Sequence, residues 1–394
     1  MAERLGIWVS RARRILPKLR GWRWEFHRTP ELSHRELTTR ARIVEILRTE
    51  GFEPQTWTDF TGVSTLWGGH GKAPLVALRA DMDALPVSET TGSPYASRTR
   101  GITHACGHDL HMAALLGAAT LLREHVPHGR FRAIFQPAEE EGGVGSAGTF
   151  VERGILRAPR VDGIVGAHAE PALPAGFVGL RSGALMAASD SFRLRGRGGH
   201  AGYPHRGTDA IVSAAEIVSG LQTLVSRSRE PTDPAVVTVG TIHGGRRHNV
   251  LAGDAELTGT VRTVRPATRD AMERGLRRRV QGIARSAGIR ARVDYCRGYS
   301  ALINPPGPTE RVREALRREL GADRVLDLEA PVMGAEDFSR YLEVVPGCFF
   351  FVGAGRPVVM ESLHSPSFLP PDESLLTATA SLAAAAAGLA EGVP

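Results

Sequence analysis

The chain has 394 residues, 42% hydrophobic and 23% charged, with a formal net charge of +7. That balance suits a folded chain long enough for two domains and argues against disorder. Nearly all the positive charge is Arg, Lys being confined to Lys18 and Lys72, and the densest run, Arg277-Arg278-Arg279, reads as a solvated helix face beside Leu276, Val280 and Ile283, which argues against a nucleic-acid partner.

Three cysteines, Cys106, Cys296 and Cys348, cannot build a disulfide framework, and no apolar run follows Met1-Ala2-Glu3-Arg4. The expectation is a cytoplasmic protein in which no stretch approaches a membrane span. Apolar and Arg positions alternate over residues 5–27 and predict an opening helix, stopped by Thr29-Pro30. A second helix is predicted from Ser33 to Glu50, with Glu36 as its capping-box partner.

Short apolar strands follow at residues 75–78, 131–135, 161–165 and 348–352, and each leads into acids or imidazoles: Asp81 and Asp83, Glu139 to Glu141, His168, and His364. Sites at the carboxyl ends of strands are the mark of an α/β catalytic domain with a mainly parallel sheet. Residues 111–125, with Leu115, Leu116, Leu121 and Leu122, supply a covering helix. The texture then changes. Strand 191–195, helix 208–225, strands 235–243 and 254–263, helix 268–287 and strand 291–296 spell βαββαβ, an inserted α+β unit of ferredoxin-like order. The predicted organisation is a catalytic domain of residues 1–182 and 300–394, interrupted by a lid or dimerisation domain of residues 183–299.

The chemistry converges on His104-Ala105-Cys106-Gly107-His108-Asp109-Leu110-His111, five metal-capable or ionisable side chains in eight residues. A thiolate and an imidazole on either side of a glycine can point at one cation from a loop. Taken singly, Cys106 also reads as a small buried hydrophobe, each histidine as structural, and Glu139 to Glu141 as a solvated turn. Together, Cys106, His108, Glu140, His168 and His364 offer sulfur, nitrogen and oxygen donors, a set that favours zinc and its transition-metal neighbours over magnesium or calcium. Five ligands exceed one tetrahedral site and suit two ions about 3.5–4 Å apart.

Seven runs in order, Leu78-Arg79-Ala80-Asp81-Met82-Asp83-Ala84-Leu85-Pro86, residues 104–109, Gln136-Pro137-Ala138-Glu139-Glu140, Gly198-Gly199-His200-Ala201, Gly259-Thr260-Val261-Arg262-Thr263, Gly334-Ala335-Glu336-Asp337-Phe338 and His364-Ser365-Pro366, closely resemble the M20 peptidase family. More narrowly they resemble its amidohydrolase branch of aminoacylases, hippurate hydrolases and auxin-conjugate hydrolases. The resemblance implies a di-metal, aminopeptidase-like catalytic domain with an inserted dimerisation lid. It implies Cys106, His108, Glu140, His168 and His364 as ligands of two divalent ions per subunit, zinc foremost, with manganese, cobalt or nickel as alternatives. By the same likeness Glu139 is the base, Asp83 orients the site, His200 is a lid histidine reaching the neighbouring subunit's site, and Asn249 and Arg262 bind substrate. The sequence departs from the family pattern at Thr103, Ala252 and Glu170; the last could favour a cationic substrate group, but is expected to be a solvent-facing loop acid.

The implied reaction is hydrolysis of an N-acyl amino acid to a carboxylate and a free amino acid by a homodimer. Glu139 takes a proton from water and passes it to the leaving amine, a role typically contributing about 10²–10⁴-fold. His200 is the expected donor to the oxyanion. Alternatives are a carboxypeptidase or dipeptidase acting on short peptides, an inactive metabolite-binding relative, and a Cys106 nucleophile with His108 as base. The last is disfavoured because side chains two residues apart in one tight loop meet poorly in line.

Overall fold

The computed structural model of the protein describes residues 6–69, 73–141, 145–197, 207–356 and 362–391. The strand Leu75–Asp81 is buried at every position, the pattern of a strand covered on both faces. It pairs in parallel with Arg130–Gln136 on one side and Gly163–Pro174 on the other, and Gly163–Pro174 pairs in parallel with Gly347–Gly355. These four form the centre of an eight-stranded sheet, which the antiparallel pairings of Val63–Gly68 and Val178–Leu180 extend on either side. The expected α/β class with a mainly parallel sheet is what the chain adopts.

Alternate residues of the central strand serve two cores, as a period of two requires. Val76 and Leu78 pack under the helices Ile7–Arg28, His108–His125, Pro306–Leu320 and Asp372–Glu391. Leu75 and Ala77 face a second cluster that holds Phe60, Phe150, Phe338, Tyr341 and Phe349. The helix Asp372–Glu391 corrects the expectation that no stretch is long and apolar enough for a membrane: it passes on length and composition, yet most of it is buried inside the fold. Its alanines let it lie close against His108–His125 and Pro306–Leu320.

The second helix starts at Leu37, not Ser33. Its predicted capping box does not form because both side chains are used elsewhere. Glu36 accepts from His34 N, Thr61 Oγ1 and Ala138 N at 3.0, 2.7 and 2.9 Å, and Ser33 Oγ donates to Asp83 at 2.7 Å.

A separate antiparallel sheet orders its strands Arg292–Arg297, Ala188–Arg197, Asp254–Thr263 and Ala235–Gly244. With the helices Ala210–Ser226 and Pro266–Ser286 it encloses its own core of Phe192, Leu194, Ile217, Leu221, Leu257, Met272 and Leu276. That strand order is the split-βαβ arrangement of the expected lid. The chain crosses between the two sheets beside Ser189 and Tyr299. There Ser189 N donates to Tyr299 O at 3.1 Å and Gly298 N to Ser189 O at 3.0 Å.

Candidate metal and active site

Gly107 adopts φ +86°, a left-handed turn that glycine takes without strain, and the helix His108–His125 begins at the next residue, three earlier than expected. Cys106 therefore stays on the loop while His108 opens the helix. A carbonyl can only accept, so the 2.8 Å contact with Asp83 O fixes a proton on His108 Nδ1 and makes Nε2 the nitrogen that can face a cation once it gives up its own proton. His168 is held the same way by Ala169 O at 2.8 Å, with its Nε2 at 3.3 Å from Cys106 Sγ. It lies inside the strand Gly163–Pro174, not beyond its end. His364 takes φ +65°, donates its backbone N–H to Ala105 O at 2.8 Å, and puts Nε2 at 3.2 Å from Glu140 Oε1.

Donor atoms of all five expected ligands thus meet around one volume. His108 Nε2 and Glu140 Oε1 lie 3.9 Å apart, both buried and without a hydrogen bond among the described residues. Buried polar atoms are almost always satisfied, so these two mark a place for a cation. The electrostatics agree. Burial, reinforced by Glu140 and Glu139, pushes the Cys106 thiol far up. Burial opposes charge on His108, but Asp81, Asp83 and Glu140 outweigh it and raise the imidazole to about 10. The cluster calls for positive charge, and divalent ions would supply it while holding Cys106 as thiolate.

His111 lies close to Asp81, His108 and His168 and completes a metal-like group with them. It is not available as a ligand, because Ala169 N donates to its Nε2 at 2.9 Å and its Nδ1 donates to Asp81 at 2.6 Å. Asp83 holds the ligands from behind: its carboxylate takes Glu140 N at 2.9 Å and Ser33 Oγ at 2.7 Å, while its carbonyl takes His108.

Under the site lies a hub that motif reading did not resolve. The buried Arg79 donates to Gln136, Asp81, Glu336 and Asp337 at 2.9, 2.8, 2.9 and 3.0 Å. Gln136 also bonds Asp337 at 2.8 Å and receives Tyr341 OH at 2.9 Å. An arginine inside the mostly apolar strand was the available signal; its partners Glu336 and Asp337, more than 250 positions away, were not legible. Glu139, Glu336 and Asp337 form one carboxylate group, and Glu139 follows Ala138, itself at φ +53°. Burial, then Glu336, Glu140 and Asp337, push the Glu139 carboxyl well up. Metal ions at the adjoining ligands would act in the opposite sense.

A cavity of about 430 Å³ opens onto these groups, lined by Cys106, Glu139, Glu140, His168 and His364 and walled by Met186, Val332, Phe351 and Leu363. Arg262 reaches it from the lid, beside Ser189 and Tyr299. Glu170 lines it too, from the strand Gly163–Pro174, so the expectation of a solvent-facing loop acid is corrected. Asn249 sits in an exposed loop and is not among the lining residues of its own chain's cavity. His200 lies outside the described residues.

The family model described as peptidase family M20/M25/M40 matches residues 77–388. An N-acetyl-L-cysteine deacetylase of Bacillus subtilis is 39% identical over 92% of this chain and 86% of its own length. Thermostable carboxypeptidase 2 of Saccharolobus solfataricus is 36% identical, covering 88% of this chain and 89% of its own length. Among solved structures, the Bacillus subtilis YXEP protein, described as a dinuclear metal binding peptidase from the M20 family, superimposes with a TM-score of 0.81 at 33% identity, over 97% of this chain and all of its own.

Proposed function

The chain belongs to peptidase family M20/M25/M40, a family of hydrolases, and from that premise we propose that it hydrolyses the amide bond of N-acyl amino acids. The observation that carries this reading is the pair His108 Nε2 and Glu140 Oε1, buried and without a hydrogen bond among the described residues, with Glu140 lining a cavity that also holds Glu139 and Arg262. Two divalent ions fit the donor set, with Cys106, His108, Glu140, His168 and His364 as ligands and zinc favoured by the thiolate and imidazoles. When bound, such ions polarise a carbonyl and lower the pKa of water.

The rest is the work of the chain's own residues. Glu139, held against the carboxylate group of Glu336 and Asp337, takes the proton of the attacking water and delivers it to the departing nitrogen. Asp83 keeps His108 and Glu140 in register. Arg262 offers the substrate's free carboxylate a guanidinium, and the apolar walls Met186, Val332, Phe351 and Leu363 receive the acyl group. We assign His200 to the oxyanion and Asn249 to substrate binding, both across a homodimer formed through the lid. The expected setting is cytoplasmic, with no nucleic-acid or membrane partner.

The likeness to a carboxypeptidase supports one second reading, cleavage of short peptides, which present the same amide beside a free carboxylate. The deciding experiment is a screen of metal-reconstituted protein over N-acyl amino acids and dipeptides, before and after chelation. Hydrolysis of acyl amino acids that vanishes on chelation and returns with zinc, manganese, cobalt or nickel is expected. Full activity after metal removal verified by elemental analysis would overturn the site.

A further inference from the structure

Tyr299 lies at the crossover from the lid back to the catalytic sheet, 4% exposed, and lines the same cavity as Glu139 and Arg262. Its backbone is fixed by the paired hydrogen bonds with Ser189 that tie the two crossing segments together. Its hydroxyl has no hydrogen-bond partner among the described residues. The ring is packed but the hydroxyl is not closed off, so a group that bonds nothing in the protein opens onto the cavity and is placed to bond what the cavity receives. Arg262 repeats the pattern: its Nη1 is buried and unpartnered among the described residues.

Two donors without partners therefore border a cavity whose other charged lining groups include the acceptors Glu139, Glu140, Glu170 and Glu336. In an acyl amino acid the carboxylate stands one carbon from the scissile nitrogen, so whatever binds it must border the base. Tyr299 and Arg262 line the same cavity as Glu139. A carboxylate has two oxygens, and one guanidinium N–H with one phenol O–H satisfies both, with charge-assisted bonds.

We propose that Tyr299 donates its hydroxyl hydrogen to the substrate carboxylate beside Arg262 and thereby sets the enzyme's preference for acyl amino acids with a free carboxylate. This rests on the function proposed above. Burial, then the nearby Glu139, Asp337 and Glu336, keep the phenol protonated, so it remains a donor throughout the working pH range.

The test is Tyr299→Phe, which keeps the ring and the backbone pairing. It is assayed on an N-acetyl amino acid and on the corresponding N-acetyl amino acid carboxamide, with metal content measured alongside. A lost bond to a charged group should lower kcat/KM for the acid roughly 10–100-fold, mainly through KM. The carboxamide should change by less than about 3-fold, because its neutral terminus gains far less from the donor. Where the wild type does not turn over the carboxamide, the same comparison is made on the two compounds as competitive inhibitors. Equal losses on both compounds would make Tyr299 a structural or oxyanion residue, and no loss on the acid would remove it from the site; either outcome overturns the proposal. Wild-type protein inert toward every N-acyl amino acid would instead strike down the parent function.

Discussion

Arg79→Met would remove the guanidinium that Asp81, Glu336 and Asp337 share. All four side chains are buried, and the arginine makes its bonds to them at 2.8–3.0 Å. Breaking a buried ion pair by deleting one partner typically costs about 3–5 kcal/mol, because the remaining charge stays stranded in a medium of low polarity. Glu336 and Asp337 are the carboxylates stranded here, since Asp81 keeps its bond to His111, and both can take up protons, so the loss should stay in that range and not double. Arg79→Lys keeps the charge and loses the planar fork, and should fall between Met and wild type. All five tryptophans, Trp8, Trp22, Trp24, Trp57 and Trp67, lie outside residues 183–299, so urea unfolding followed by tryptophan fluorescence reports on the catalytic sheet. The pH dependence is the diagnostic. In the Met variant the stranded carboxyls have folded pKa values above their unfolded ones of about 4, so its stability falls as pH rises from there through the raised values. Burial, opposed by Arg79, already holds Glu336 at about 8 in the intact protein. The deficit against wild type should be largest at pH 8 and shrink at pH 5.5. A Met variant within about 1 kcal/mol of wild type at pH 8, well short of the buried-pair cost, or a deficit that grows on acidification, would refute the reasoning.

Glu139→Gln should lose most turnover yet keep its metal, whereas Glu140→Gln should lose metal; elemental analysis beside kinetics separates them, and the reverse pattern would mean the two roles are exchanged. His27 is raised to about 9, burial opposing its charge while Asp109 and Glu89 outweigh it. Its stabilising share, at most about 3 kcal/mol, is complete below the unfolded value near 6.5 and is lost as pH rises through 9. His27→Gln should therefore flatten that part of the wild-type profile of melting temperature against pH, and an unchanged slope would dismiss the assignment. For the lid, His200→Ala and Glu139→Gln subunits, each inactive alone, should recover toward roughly a quarter of wild-type activity when mixed, since half of randomly paired dimers are mixed and hold one competent site in two. Verified subunit exchange with no recovery would confine His200 to its own subunit.

The sequence by itself determined the element order and the donor set. Strands with a period of two, helices with a period of 3.6 and polar groups gathered at strand ends are local patterns, written within a dozen residues each. Hence the lid strand Asp254–Thr263 matches its predicted limits, and Cys106, His108, Glu140, His168 and His364 stood out before any coordinates. The capping box failed for the converse reason. Ser33 and Glu36 satisfy a local rule, yet Asp83, Thr61 and Ala138 compete for them from across the fold. Only the tertiary structure shows why His108 and not His111 is left open. His111 and His108 are alike in sequence, but a backbone N–H from Ala169 occupies one and a carbonyl from Asp83 opens the other. It alone joined Arg79 to Glu336 and Asp337 and turned Tyr299 toward the cavity. A buried charge or hydroxyl must find its partner wherever folding brings one, and that choice depends on distant segments whose approach leaves no trace in the residues nearby.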